Sequence, residues 1–382
     1  MEYIHLNYAA TSAKKPRQSI DAMISYLNAN NSLSPGRGGE ASLSEGRLEI
    51  EARLSLCRLF NVKRPEEIIF TQNATTSLNM AINGLVRKGC HVITTSMEHN
   101  AVARPLELLR QKGIIELSII PCNADGTLGP ETIKDYIKEN TRLMVMTHAS
   151  NLTGAILDYE KASLIAKEHG LFFILDAAQS AGYCAIDFDN SAIDVLAFTG
   201  HKSLMGPTGT GGFIIKKEIA DEMEPFITGG TGSISHLLTQ PDFLPDKFES
   251  GTPNMLGIIG LKASVDFILD TGVDKIRKHE ETLTRAFLSG LQDIPVKVYG
   301  PEDISIHAPV VSISSDKMDC SMLSSVLFEE YGIITRPGLH CSPLAHKTIG
   351  TYPEGTLRFS FGYFTTMEEI KFALKALSEI LK

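Results

Sequence analysis

Between residues 66 and 217, short apolar runs rich in Ile, Val and Phe alternate with longer stretches of helical periodicity. That alternation predicts a largely parallel sheet wrapped by helices. Strands are expected at 67–71, 91–94, 116–120, 143–147, 172–176, 195–198 and 212–216, with helices between them at 76–86, 102–111, 130–137 and 161–169. Beyond residue 226 a Gly- and Pro-rich stretch, 229–253, gives way to helical patterns at 256–270, 274–291, 322–331 and 367–381, with short strands near 309–314 and 356–361. This second pattern is α+β. The expected fold is therefore α/β, with a large, mainly parallel domain over residues 16–250 and a small α+β domain built from 1–15 and 251–382.

Composition narrows the function. A chain of 382 residues with 43% hydrophobic and 21% charged residues is globular and of a size for two domains. No apolar run approaches the length of a membrane span, and Met1-Glu2-Tyr3-Ile4-His5 lacks the basic and apolar regions of a signal peptide, so a cytoplasmic location with no membrane role is expected. The net charge of −9 carries no long run of one sign, which argues against nucleic acid and for a small-molecule partner. Six widely spaced cysteines contain no C-x-x-C pair, so neither a metal site nor a disulfide framework is expected. Any cysteine with a role acts singly.

In open α/β sheets ligands bind beyond the carboxyl ends of the parallel strands. The residues just past the predicted strands are Asn73 to Ser77, Glu98-His99-Asn100, Asn151, Asp176 with Gln179, and Thr199-Gly200-His201-Lys202. This list holds the parts of a pyridoxal phosphate (PLP) site: a lysine, a carboxylate for the ring nitrogen, a stacking group and a phosphate cradle. The Ala74-Thr75-Thr76-Ser77 turn opens a helix whose free N–H groups suit a phosphate; taken alone it reads more readily as a simple N-cap. Asp176 ends an apolar run and needs a partner, or caps the helix that follows. Lys202 precedes a glycine-dense loop, against the alternative of a surface lysine, and His99 is either a stacking group or a capping histidine.

The run Phe198-Thr199-Gly200-His201-Lys202, together with Asp176-Ala177-Ala178-Gln179-Ser180, Glu98-His99 and Phe248-Glu249-Ser250-Gly251-Thr252-Pro253-Asn254, resembles the class V aminotransferases of the cysteine desulfurase group, over nearly the whole chain. The resemblance implies the PLP-dependent transferase fold of type I. By it, Lys202 binds the cofactor aldehyde, Asp176 pairs with the pyridine nitrogen, Gln179 bonds the phenolate oxygen with Asn151 near it, and His99 stacks on the ring. Thr75, Thr199 and His201, with Ala74 in the same turn, hold the phosphate, and Thr252 reaches the phosphate of a neighbouring subunit, which implies a homodimer. The family's usual glycine and glutamate around the phosphate turn stand here as Asn73 and Thr76, and its N-terminal motif reads Asn7-Tyr8-Ala9-Ala10.

Arg336-Pro337-Gly338-Leu339-His340-Cys341-Ser342-Pro343 puts a cysteine in a loop bounded by Pro and Gly, with His340 and Arg336 close enough in sequence to favour its thiolate. The other five cysteines read as small buried hydrophobes. The segment resembles the Arg-x-Gly-x-His-Cys run of Suf-type desulfurases and selenocysteine lyases, with Leu339 where a second histidine is common. The resemblance implies that Cys341 attacks the sulfur of bound L-cysteine, leaving alanine and a Cys341 persulfide for a sulfur-acceptor protein. Arg358 grips the substrate carboxylate, with Asn151, Ala10 and Arg336 beside it. Lys202, Cys341 and His99 form the expected catalytic set. L-Selenocysteine as substrate, another class V reaction, or a non-catalytic sulfur-carrying protein are the alternatives.

Overall fold

The computed structural model describes residues 3–29 and 40–382; residues 1–2 and 30–39, which belong to the expected N-terminal reading and domain spans, lie outside the described residues. After β1 (Ile4–His5), α1 (Arg17–Asn28) and α2 (Glu40–Phe60), the chain builds a seven-stranded sheet. Its strands are β2 (Ile68–Thr71), β3 (Cys90–Thr95), β4 (Ile115–Ile120), β5 (Thr141–Thr147), β6 (Phe172–Asp176), β7 (Val195–Thr199) and β8 (Gly211–Ile215), in the order β2-β8-β7-β6-β5-β3-β4. Strands β4, β3, β5, β6 and β7 run parallel, while β8 is antiparallel to both β7 and β2. All seven predicted strands are present, each within two residues of its expected ends.

Helices cover both faces, which is why β6 and β7 read as nearly continuous apolar runs. Phe173 and Leu175 of β6 pack on one face with α5 (Tyr159–Glu168), through Ala162 and Ile165. Ile174, pointing the other way, packs with α3 (Ala74–Leu85) and α4 (Asn100–Gln111), through Leu78 and Val102. The helix expected at 130–137 is instead a 3₁₀ segment, Pro130–Tyr136. Only Ile133 in it is buried, so no apolar stripe holds an α-helix to the sheet. Neither α1 nor α2 is part of the expected pattern. In α1 only Ser19 and Tyr26 are buried, so its apolar signal is thin.

After α6 (Lys217–Glu222), the chain runs through α7 (Met255–Thr271), which packs on α1 and α2 and sends Leu261, Val265 and Ile268 into the large sheet's core. There follow α8 (Val273–Leu291), β9 (Lys297–Tyr299), β10 (Val310–Ser314), α9 (Cys320–Tyr331), β11 (Ile333–Ile334), β12 (Arg336–Gly338), α10 (Pro343–Thr348), β13 (Thr356–Ser360) and α11 (Met367–Ile380). An antiparallel sheet of order β12-β13-β10-β9 has its own core around Phe287, Val311, Phe359 and Leu377. The N-terminal segment joins it: β1 pairs with β11, and Asn7 bridges to Ser360.

One buried charge in this region has a measurable consequence. Glu280 on α8 is 3% exposed, its Oε2 has no partner, and burial pushes its carboxyl up from 4.5 to about 8. The folded chain therefore holds a proton that the unfolded chain releases, and stability falls as pH rises from about 4.5 to about 8. Glu280→Gln is expected to raise the unfolding free energy from denaturant titration at the top of that window, by on the order of a few kcal/mol, and to change it little at the bottom. Equal effects at both ends would contradict this.

Candidate active site

The carboxyl ends of β5, β6 and β7 open on a cavity of about 290 Å³, into which the chain brings Thr147, Asp176 and Thr199 from those strand ends. The first turn of α3 adds Asn73, Ala74 and Thr75. Asn73 caps that helix, its Oδ1 accepting from Thr76 N at 2.9 Å. The N–H groups of Ala74 and Thr75, its first two residues, have no helical carbonyl to reach. His99 caps α4 through Nδ1, which accepts from Ala101 N at 3.0 Å, and lines the cavity as well. Both readings of His99 thus coexist. Burial, then Lys202, Arg336 and Arg358, push it down to about 4, so at neutral pH it is an uncharged ring with its proton on Nε2.

Lys202 and Asp176 share the cavity. Asp176 Oδ1 accepts from Ala178 N at 2.9 Å, the capping role; its other oxygen takes no hydrogen bond from the described residues. Burial raises its carboxyl above the usual range, opposed by the Ala178 N–H and Lys202. Burial likewise pushes Lys202 down to about 8, opposed by Asp176 and reinforced by Arg358 and Arg336. The loop after Lys202 folds back tightly: Gly200 N donates to Thr210 O at 2.8 Å, and a Cβ on Gly200 would collide with Thr210 Oγ1.

An N-terminal strap, not anticipated from sequence, pins this loop. The carbonyl of His201 accepts from Ser12 N at 2.9 Å, Ser12 Oγ at 3.0 Å, Thr11 Oγ1 at 3.2 Å and Lys15 Nζ at 3.3 Å. Burial lowers Lys15 to about 8. Ala9 and Ala10 line the cavity from the same strap, and Ala9 O accepts from Gln179 Nε2 at 3.0 Å.

Arg336 and Arg358 sit directly opposite each other on the antiparallel strands β12 and β13, and both line the cavity. Like charges so placed repel. Arg358 is 1% exposed, donates only to the neutral Asn151 O and Asn7 Oδ1, each at 2.9 Å, and leaves its buried Nε without a partner. Burial and then Arg336 lower it to about 9. No carboxylate pairs with either arginine among the described residues. Asn7 gave no signal in sequence beyond its place in an N-terminal motif.

Of the six cysteines, all within the described residues, Cys341 alone is exposed; Cys57, Cys90, Cys122 and Cys184 are buried and Cys320 is half-buried. Cys341 stands at the cavity's edge, its Sγ 3.7 Å from Arg336 Nη2. Two consecutive residues, His340 (φ 50°) and Cys341 (φ 59°), adopt the left-handed conformation. Asn151 locks this turn: Nδ2 donates to His340 O at 2.8 Å and Oδ1 accepts from Ser342 Oγ at 2.7 Å. Asn151 lines the cavity too, with its amide engaged by the cysteine turn. His340 corrects an expectation. Burial, then Arg358, push it down to about 2, so it brings no positive charge to the thiol; Arg336 is the cation at its side.

Two expected site residues, Cys341 and Thr252, do not themselves line the cavity. Cys341 adjoins it through Arg336, whereas Thr252 is set apart. It is exposed and lines a second, wider groove with Gln72 and Thr76, across the first turn of α3.

The family model for aminotransferase class V matches residues 4–372. The chain belongs to the class V aminotransferase family. It is 35% identical to a probable cysteine desulfurase of Pyrococcus abyssi, covering 100% of this chain and 95% of that one. It is 32% identical to a cysteine desulfurase of Salmonella newport, covering 97% and 92%. The apo structure of a cysteine desulfurase from Thermococcus onnurineus NA1 matches with a TM-score of 0.91 at 32% identity, over 99% of this chain and 94% of the other. The α/β fold with its mostly parallel central sheet is that of the type I PLP enzymes.

Class V aminotransferases depend on PLP, and the residues present fit it. Thr199 Oγ1 and His201 Nδ1 are buried without a hydrogen-bond partner, beside the free N–H groups opening α3. That set suits a phosphate. Asp176 keeps an oxygen for a ring N–H, and Lys202 is the amine facing it across the cavity. Because a neutral amine is the form that attacks an aldehyde, the rate at which cofactor-free protein captures added PLP is expected to rise through pH about 8. Asp176→Asn, which removes the charge that supports the ammonium, moves that rise to lower pH. Visible absorbance follows the capture; a rise centred near 10.5, the ordinary lysine value, would contradict the assignment.

Proposed function

We propose that the protein is a PLP-dependent cysteine desulfurase that converts L-cysteine to L-alanine and keeps the sulfur as a persulfide on Cys341. The observation that carries this reading is the facing pair Arg336 and Arg358, without a carboxylate partner, between Lys202's cavity and the exposed thiol of Cys341. Such a pair calls for an anion, and the guanidinium fork of Arg358 suits the bidentate grip of an amino-acid carboxylate. Its relatives' names support the same reaction.

The roles follow. Ala74, Thr75, Thr199 and His201 hold the cofactor phosphate, Asp176 pairs with its ring nitrogen, His99 covers the ring, and Gln179 and Asn151 flank its phenolate oxygen. When bound, the cofactor supplies an electron sink for negative charge at the substrate's α-carbon. Arg358 fixes the substrate carboxylate, with Ala10, Asn151 and Arg336 around it. Lys202, as the free amine, would remove the α-proton. Cys341 Sγ, as thiolate, attacks the substrate sulfur; the new S–S bond forms as the C–S bond breaks, and its electron pair passes to carbon. Lys202 or His99 then returns protons to give alanine.

We place the reaction in a cytoplasmic homodimer. The groove holding Thr252 shares the first turn of α3 with the cavity, which supports Thr252 completing a neighbouring subunit's phosphate site. We also infer a large domain over 16–250 and a small one from 1–15 and 251–382, with α8 joining their cores through Ile276 on one side and Leu283 and Phe287 on the other. A sulfur-acceptor protein would take the persulfide from Cys341. Cys341→Ala is expected to lower sulfide and alanine release from L-cysteine to near background while leaving the cofactor bound. Release at the parental rate would overturn the role of Cys341. Loss on L-cysteine with full turnover of L-selenocysteine would reassign the protein as a selenocysteine lyase.

A further inference from the structure

Next to the cysteine turn lies a buried polar series that the reaction above does not use. His340 Nε2 is 2.9 Å from Arg336 O, His340 Nδ1 is 3.3 Å from His346 Nε2, and His346 Nδ1 is 2.7 Å from Thr351 Oγ1. His340, His346 and Thr351 are at most 5% exposed. The two imidazole planes are 17° apart and their centres 5.5 Å apart. That separation exceeds the N···N distance by about one ring's width, so the facing nitrogens lie between the ring centres and the rings meet edge to edge.

The proton positions follow from one fixed end. A carbonyl oxygen only accepts, so His340 Nε2 carries the proton toward Arg336 O. In a neutral ring Nδ1 is then an acceptor, so His346 Nε2 donates to it. His346 Nδ1 is left to accept, and the hydroxyl of Thr351 donates. Burial supports this order by favouring the uncharged rings: it lowers His346 to about 4 and His340 to about 2. Every link has one donor and one acceptor. Reversing any link would set two lone pairs or two protons against each other.

We propose that Thr351 and His346 are positioning residues for Cys341: their ordered hydrogen bonds fix the tautomer of His340, and His340 closes the left-handed turn that presents the thiol beside Arg336. This rests on reading Cys341 as the sulfur acceptor, but the chain itself is tested by the thiol's reactivity, independently of turnover. Residues 340 and 341 both hold a conformation that side chains disfavour, so the turn needs anchors. Asn151 and Asn100 N, the latter donating to Cys341 O at 2.7 Å, anchor its backbone. The histidine chain is the anchor on the ring of His340.

The experiment alkylates the holoenzyme with iodoacetamide at neutral pH and follows the Cys341 peptide by mass spectrometry, in Thr351→Val and Thr351→Ser and in His346→Leu and His346→Gln. Valine keeps the shape of Thr351 without its donor, freeing His346 to turn its proton to Nδ1; serine keeps the donor. Glutamine can still donate to His340, and leucine cannot. Thr351→Val and His346→Leu are expected to change the alkylation rate by about fivefold, the worth of one net hydrogen bond, while Thr351→Ser and His346→Gln stay at the parental rate. Should Thr351→Val fail to fold, the His346 pair decides by the same comparison. In ¹⁵N-histidine spectra of the parent, His340 and His346 are both expected as neutral Nε2–H tautomers. Parental alkylation in Thr351→Val, equal loss in both members of a pair, or an Nδ1–H or doubly protonated ring would overturn the proposal. A shifted alkylation rate in Thr351→Val together with undiminished sulfide release from Cys341→Ala would uphold the chain and sink the desulfurase role of Cys341.

Discussion

Three cationic side chains and one carboxylate line a single buried cavity, and the rest of the site answers to that imbalance. Lys202, Arg336 and Arg358 line the same cavity as Asp176, with Arg358 and Asp176 buried and Lys202 and Arg336 half-buried. Taking charges out of water is costly unless each finds a partner. Here the cost appears as downward shifts: Lys202 to about 8, Arg358 to about 9, and His99 beside them to about 4. In the function proposed above, a dianionic phosphate at one end and a substrate carboxylate at the other would supply the missing negative charge. The same depressed amine and neutral histidine suit proton transfer near neutral pH.

The fold makes this arrangement possible by dividing the labour. Buried parallel strands fix Thr147, Asp176 and Thr199 at their carboxyl ends, where side chains are held by a core packed on both faces. The arginines come from a different sheet, on β12 and β13, and the thiol from the turn just after β12. The N-terminal strap links the two: Asn7 reaches Arg358, Ala9 meets Ser360 and Gln179, and Thr11, Ser12 and Lys15 converge on the carbonyl of His201. Arg358 and the loop that carries Lys202 are thereby tied through one short segment.

The middle of the large sheet was legible because β6 and β7 are buried and read as nearly unbroken apolar runs, and Asp176 and Lys202 were legible because each follows such a run. What escaped is long-range or electrostatic. The opposition of Arg336 and Arg358 depends on the register of β12 against β13, which no local pattern encodes. His340 is near Cys341 in sequence and invites the thought of a cation, yet burial keeps it neutral and turns it into a structural link. Asn151 reads as a ligand-facing residue after a strand, and its amide is also taken by the cysteine turn. The stretch at 130–137 misled because a short run carrying a single buried residue satisfies a helical pattern without an apolar face.

The account stands on one amine being within covalent reach of the cofactor aldehyde. Lys15, whose amine burial also lowers to about 8, lies close enough to bond the carbonyl of the residue before Lys202, and is the natural competitor. Borohydride reduction of the PLP-loaded protein followed by peptide mapping separates them. The account predicts the pyridoxyl group on Lys202; its appearance on Lys15 or another lysine, with Lys202 unmodified, would contradict it.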